Sequence, residues 1–231
     1  MVFVPAAVEI AHQAMHSENP DLVSAYTGLV RFLVSNPDAA CPLRGRNRPA
    51  VGTADYIRLQ ATAFASSREP KRPEPPTTVP DEMVSVILVS YFDIPQADAA
   101  RIKREHLLSM GAESIVGNLL ERYLASVLEP EGWIWCSGST VKAVDFIKPP
   151  SFSGGAWRLL QVKNRDNSEN SSSSAIRNGT SIEKWYRSFS RRVGSNWAAF
   201  PDPALRRQLS EEGFMSFVSI YLTLLGELDR A

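Results

Sequence analysis

Cysteine and histidine are scarce in this chain, with two and three copies among 231 residues. Cys41 and Cys136 make neither a C-x-x-C pair nor a disulfide framework, and Cys136 sits in an apolar stretch that reads as core. His12 and His16 are four apart on an expected helix, but no H-E-x-x-H pattern accompanies them, and His106 reads as structural. The absence of a G-x-x-x-x-G-K-[ST] loop argues against nucleotide-driven chemistry, and no G-x-S-x-G elbow supports an acyl hydrolase. No apolar run approaches the roughly 20 residues needed to span a bilayer. The opening MVFVPAAVEIAHQAMH lacks a basic n-region and an apolar h-region, so a soluble, cytoplasmic protein is expected and the sequons at Asn170 and Asn178 carry no weight. Repeats and heptads are absent as well.

Net charge is also missing: 25 basic residues balance 25 acidic ones. Distribution is more informative than the total. Arg158 to Arg192 holds eight basic residues against three acidic, and Arg44 to Arg72 holds seven against two, so two stretches each carry a surplus of five. A polyanion would be drawn to such stretches. With 44% apolar content, the chain can bury one sizeable core, or a core with a helical annex.

The spacing predicts two helices between Ala6 and Ser35, parted at Asn19-Pro20 with Asp21 opening the second. A basic Pro/Gly loop, CPLRGRNRPAVG, precedes a helix from Thr53 to Ala65. Five prolines between Arg68 and Asp81 exclude a helix there. That boundary divides an N-terminal helical region with its Pro-rich linker, 1–80, from a catalytic core, 81–231, within one assembly. Helices are expected from Asp81 to Tyr91, from Gln96 to Met110, and through MGAESIVGNLLERYLASVLEPEGW up to Pro130. Strands are expected near Trp133 to Ser137, Val141 to Ile147 and Trp157 to Lys163, then a helix from about Ile182 to Arg192. The closing FMSFVSIYLTLL fits a buried strand or a helix.

The chemistry concentrates in Val144-Asp145-Phe146-Ile147 and, after a short Gly/Ser/Pro break, Leu159-Leu160-Gln161-Val162-Lys163. Alternation along a strand puts Gln161 and Lys163 on one face while Leu160 and Val162 point into a core. If the two strands pair, Asp145 meets the polar face. An acid, a second oxygen donor and an ammonium at a strand pair suit phosphodiester hydrolysis, with oxygen ligands for Mg²⁺ and a positive charge near water and phosphate. The residues therefore point to a nuclease.

Asp145 followed by Gln161-Val162-Lys163 resembles the PD-(D/E)XK nuclease motif. The stretch from about His106 to Phe189 is similar to type II restriction endonucleases, most of all the SinI-like family, on the strength of GAESIVGNLLERYLA, VDFI and LLQVKNRDNSENSSSSAIRNGTSIEKW. The resemblance implies an α/β (α+β) fold, with a restriction-endonuclease-like mixed sheet flanked by helices. It also implies an Mg²⁺-dependent bacterial intracellular enzyme that cuts double-stranded DNA at GGWCC as a homodimer. Asp145 would supply a carboxylate to the metal, the Val162 carbonyl another oxygen, and Lys163 would orient the water. Gln161 departs from the pattern, which usually has a carboxylate there. Glu121 and Glu113, eight residues and about 80° apart on the upstream helix, could compensate; Glu121 is favoured for its G-x-x-x-E setting, with Glu183 and Glu169 in reserve.

Sequence reading is assigned to the polar segment after the motif. Arginine can bond guanine O6 and N7, aspartate can accept from cytosine N4, and asparagine can pair with an adenine edge. Asn164, Arg165, Asp166, Asn167, Asn170, Arg177 and Asn178 are the candidates, with Ser171 and Ser172 suited to phosphate oxygens. Two other readings stand beside this one: a repair or junction-resolving nuclease, and a noncatalytic DNA-binding protein in which Gln161 marks a decayed site. Either the N-terminal helices or the C-terminal apolar segment could form the dimer interface.

Overall fold

The computed structural model describes residues 2–166, 181–228 and 230. These form two compact units, Met1–Glu69 with Leu120–Ser219, and Pro70–Leu119 with Ile220–Ala231. Each unit is thus assembled from two stretches of sequence.

The first unit begins with helices α1 (Ala7–Glu18), α2 (Val23–Ser35) and α3 (Ala54–Ser66). Asn19 accepts from the Asp21 N–H with Pro20 at the first position of a short 3₁₀ turn, which restarts the chain as the Asn-Pro-Asp sequence predicts. Thr53 caps α3 through the Tyr56 N–H. α1 buries Ala7, Ala11 and Met15, and α3 buries Tyr56, Ile57, Gln60, Ala61 and Phe64, so each shows one apolar stripe at helical spacing. The stripes meet Leu29, Val30, Phe32 and Leu33 of α2 in one core. That core also takes in Ile134 and Ile147 from the sheet, with Leu159 and Ile182 packed against it.

The sheet has four strands in sequential order: β1 (Ile134–Trp135), β2 (Phe146–Lys148), β3 (Arg158–Arg165) and β4 (Ile182–Ser188). β1, β2 and β3 are antiparallel neighbours, whereas β4 runs parallel to β3, which makes the sheet mixed. β1 and β2 are shorter than the apolar runs that announced them, because only two and three residues of each pair in the ladder. A single turn of helix, α6 (Pro150–Ser153), lies between β2 and β3. The face opposite the helical core carries Phe146, Leu160 and Trp185. Trp185 packs against Trp197 and Phe200, and Trp197 in turn meets Tyr123 and Phe214. Aromatic residues thus close the second side of the sheet.

The stretch 182–192, expected as a helix, is a strand through Ser188. Ile182, Trp185 and Tyr186 suit a half-buried pleated surface, and pairing with β3 from Leu159 to Arg165 outweighs the local helical spacing. The two helices expected on either side of Met110 are one, α5, continuous from Gln96 to Leu128. Gly111 does not break it, since a helix-interior glycine costs only about 1 kcal/mol. A Cβ at Gly111 would lie 2.9 Å from the Pro75 Cα, so the glycine admits the proline-rich chain. The C-terminal segment, open between strand and helix, is helix α7 (Glu211–Leu228).

In the second unit, α4 (Glu82–Phe92) is capped by Asp81 and ends at Asp93 in the left-handed conformation. Pro70 to Asp81 contains no regular element, as its prolines require. Tyr221 bonds the Lys71 backbone through both its N–H and its carbonyl.

Candidate active site

Asp145 stands directly before β2, and hydrogen bonds tie it to both sides. Its N–H donates to the Leu160 carbonyl at 2.9 Å and its carbonyl accepts from the Cys136 N–H at 2.8 Å, so the backbone is held by the strands on both sides. Its carboxylate accepts from the Val162 N–H at 2.6 Å. The register pairs Phe146 with Leu160 and Ile147 with Leu159, and Asp145 lies one residue before this ladder. The Val162 N–H bond and the Lys163 charge acting on Asp145 place its carboxylate beside the stretch that carries Gln161 and Lys163. Gln161 is buried and Lys163 half-buried.

The parallel strand β4 adds residues that the sequence did not announce. Lys184 pairs with Gln161 and Tyr186 with Lys163, so a second ammonium and a phenol occupy register positions beside the motif. The helix reading of 182–192 had hidden them. Glu183, held as a reserve acid, pairs with Leu160 in the ladder and is bound by Arg158 at 3.1 Å, on the face away from Gln161. Glu169 lies outside the described residues.

Electrostatics singles out the same carboxylate. Burial pushes the Asp145 pKa up from 3.8 to about 7, and the nearby Glu121 carboxylate adds to the rise. The Val162 N–H and the Lys163 ammonium oppose it. Glu121 is therefore near enough to Asp145 for the two charges to repel. Its own oxygen accepts from the Trp135 indole N–H at 2.9 Å. Trp135 is buried, with the Arg68 guanidinium 5.0 Å and the Arg122 guanidinium 5.5 Å from its ring centre. Arg68 in turn grips Glu129 through both terminal guanidinium nitrogens, at 2.7 and 3.0 Å, and reaches the Trp135 carbonyl. Arg122 donates to the carbonyls of Ser67, Arg68 and Glu69 at the end of α3. Trp135 was not among the sequence candidates. The available signal was chemical: a buried indole N–H needs an acceptor.

Two carboxylates near enough to repel are groups that could hold a hard divalent cation. Mg²⁺ sites commonly use only one or two protein carboxylates and complete their shell with water and phosphate. The described residues contain no cluster of three or more acidic, histidine or cysteine ligands, and such a cluster is not what this chemistry requires.

Glu113 is exposed on α5 and belongs to the second unit, whereas Glu121 belongs to the first with Asp145. Asn164, Arg165 and Asp166 follow Lys163 at the end of β3. Asn164 accepts from Arg187 at 2.9 Å, and Asp166 accepts from the Ser190 N–H at 2.8 Å, so both brace the neighbouring strand and its exit. Arg165 is exposed. The candidates Asn167, Asn170, Ser171, Ser172, Arg177 and Asn178 lie outside the described residues. Part of the basic surplus is neutralised internally: Arg158 pairs with Glu183 and Asp202, Arg187 with Glu211, and Arg68 with Glu129.

No helix among the described residues is long and apolar enough to cross a membrane. The sequence model of the family described as SinI restriction endonuclease matches residues 7–224. The type II restriction enzyme Eco47I of Escherichia coli is 52% identical over 221 residues, covering 95% of this chain and 96% of the relative. The type II restriction enzyme SinI of Salmonella infantis is likewise 52% identical over 221 residues, with the same coverage of 95% and 96%.

Proposed function

The chain belongs to the SinI restriction endonuclease family and is a type II restriction enzyme, and on that premise we propose that it hydrolyses double-stranded DNA at GGWCC with Mg²⁺ at the Asp145 site. The family match carries the activity. The site reading is supported by the bond from the Val162 N–H to the Asp145 carboxylate, with the Glu121 and Lys163 charges both acting on that carboxylate.

In this reading Asp145 and Glu121 hold the metal, helped by the Val162 carbonyl and the Gln161 amide oxygen. A divalent cation held by these groups would supply Lewis-acid stabilisation of the scissile phosphate and a lowered pKa for the attacking water. Lys163 orients that water and offsets the negative charge growing on the phosphate during in-line displacement. Gln161 replaces a carboxylate with a neutral amide, so the two remaining acids carry the site's negative charge. The Val162 N–H and the Trp135 indole fix those acids in place, a preorganisation that lowers the cost of reaching the transition state. Asn164, Arg165 and Asp166, with the polar segment beyond them, contact DNA. The active form is a homodimer, because one active site cuts one strand and a palindromic duplex is matched by a two-fold axis.

The test is incubation of the purified protein with a sequenced plasmid and Mg²⁺, with EDTA as control and the cut ends mapped by run-off sequencing. Discrete fragments that end at GGWCC and vanish with EDTA are expected. Ends at another palindrome would refute the assigned site, and an intact plasmid in every lane would refute the enzymatic reading.

A further inference from the structure

The segment CPLRGRNRP, from Cys41 to Pro49, carries Arg44, Arg46 and Arg48, all exposed. Arg68, Arg158 and Arg187 of the same unit each pair with an acid. Among the described residues, Arg44, Arg46 and Arg48 form no ion pair. The segment is nonetheless held at both ends. At its base Ala40 and Val141 form an antiparallel bridge, flanked by bonds from the Cys41 N–H to the Thr140 carbonyl at 3.1 Å and from the Lys142 N–H to the Ala39 carbonyl at 2.8 Å. The Tyr56 hydroxyl and the Gln60 amide of α3 both donate to the Cys41 carbonyl, at 2.7 and 3.3 Å. At its tip Gly45 and Asn47 take φ of 109° and 54°, and the Arg48 Nε donates to the Arg44 carbonyl at 2.9 Å. Like charges held this close repel one another. Lys142 adds a further cation: its Nζ bonds the Asp38 backbone carbonyl at 2.8 Å rather than a carboxylate. Burial raises the Cys41 thiol pKa, and the Lys142 and Arg44 charges both oppose that rise, so both stand near the thiol.

We propose that the Arg44–Arg48 loop grips backbone phosphates of the DNA duplex on the flank of the cleavage site, outside the segment assigned to base reading. The proposal rests on the duplex-cutting function proposed above and adds a surface that holds the substrate without reading its sequence. The bridge sets the place of the loop. Val141 stands four positions before Asp145, a span of at most about 14 Å, which is roughly four base-pair steps at 3.4 Å each. A duplex seated at Asp145 therefore passes within reach of the base of the loop. Chemistry agrees with the position. A guanidinium fork matches phosphate oxygens bidentately, and exposed, unneutralised arginines are free to release condensed counterions when they take a phosphate. Contacts of this kind fix the register of the protein on DNA and carry no sequence information. An acidic protein surface would also answer the charge, but the bonds that tie the loop to the chain leading into Asp145 favour the substrate.

The experiment measures binding of the whole chain to two duplexes in EDTA, one with GGWCC and one without, across a series of salt concentrations. The variants are Arg44→Gln with Arg46→Gln, and Arg44→Lys with Arg46→Lys. Arg31→Gln with Arg207→Gln removes the same charge from exposed positions elsewhere in the unit and serves as the control. At about 0.9 per phosphate contact, the glutamine pair should flatten the slope of log affinity against log salt by about 1.8 and weaken binding at 0.1 M salt on the order of 50-fold. The loss should be equal on both duplexes, and the lysine pair should keep most of the slope. An unchanged slope overturns the proposal and leaves the loop to another partner, such as an acidic protein. An equal fall in the control, or a loss confined to the GGWCC duplex, overturns it as well. Should the glutamine pair fail to fold by circular dichroism, Arg46→Gln alone decides, with an expected change of about 0.9 and refutation by none. Binding is read without cleavage, so an intact plasmid in the Mg²⁺ assay leaves this contact standing, and an unchanged slope leaves the cleavage reading intact.

Discussion

Asp145→Asn should make the metal-free protein more stable while ending its activity. A carboxyl whose pKa rises from 3.8 to about 7 on folding costs the folded state on the order of 4 kcal/mol once ionised, at about 1.36 kcal/mol per pK unit. Asparagine keeps an oxygen to accept from the Val162 N–H but adds an amide that needs its own partner, which reduces the gain to about 2 kcal/mol. At 2–4 °C per kcal/mol for a chain of about this size, the thermal midpoint should rise by several degrees. The sign depends on pH. Below about pH 4 the carboxyl is protonated in both the folded and the unfolded chain, so it contributes no difference. Between about pH 4 and 7 the unfolded chain ionises while the folded one keeps its proton, and stability falls as pH rises; above about 7 the loss is complete. Urea unfolding in EDTA at several pH values should therefore show the variant's advantage opening across that window and then levelling off. Adding Mg²⁺ above pH 7 should recover stability in the unaltered protein and not in the variant. A variant no more stable at about pH 8, or an advantage independent of pH, would refute the account of a charge-strained acid pair.

Trp135→Phe keeps the ring between Arg68 and Arg122 but removes the indole N–H from Glu121; a shift of about 10–100-fold in the Mg²⁺ concentration for half-maximal cleavage is expected, read by metal titration. Glu121→Gln should lower the cleavage rate by about 100-fold, whereas Glu113→Gln should leave it within about twofold, and a reversed ranking in initial-rate assays would move the second carboxylate to Glu113. Gly138→Ala should destabilise the fold by more than about 1 kcal/mol, because Gly138 has φ near +77° and a Cβ there would lie 2.6 Å from the Ala63 carbonyl oxygen; urea midpoints check it.

Local signals carried most of the helical region. The break at Asn19-Pro20 between α1 and α2 and the helix expected from Thr53 to Ala65 each belong to a single stretch of chain, and they appear at the expected positions. The β2–β3 pair was legible for the same reason: VDFI and LLQVK are short apolar runs on either side of a Gly/Ser/Pro break, and they pair as neighbours. β4 was not legible. Its residues IEKWYRS can satisfy either period over seven positions, and what decides is a parallel partner on the far side of residues 167–180, a tertiary fact absent from the local pattern. The merging of two expected helices into α5 has a similar origin, since Gly111 looks like a break until the close approach of Pro75 is known. Trp135 escaped notice because its role comes from a contact with Glu121 fourteen positions away.

The measurement that bears most directly on the assigned site is single-turnover cleavage of a GGWCC duplex by Lys163→Ala, with binding to the same duplex measured in EDTA. A fall of at least about 100-fold in the chemical step, with affinity for the duplex little changed, is the predicted result. Cleavage at the unaltered rate would contradict the assignment of Lys163, and with it the placement of the active site at the β2–β3 pair.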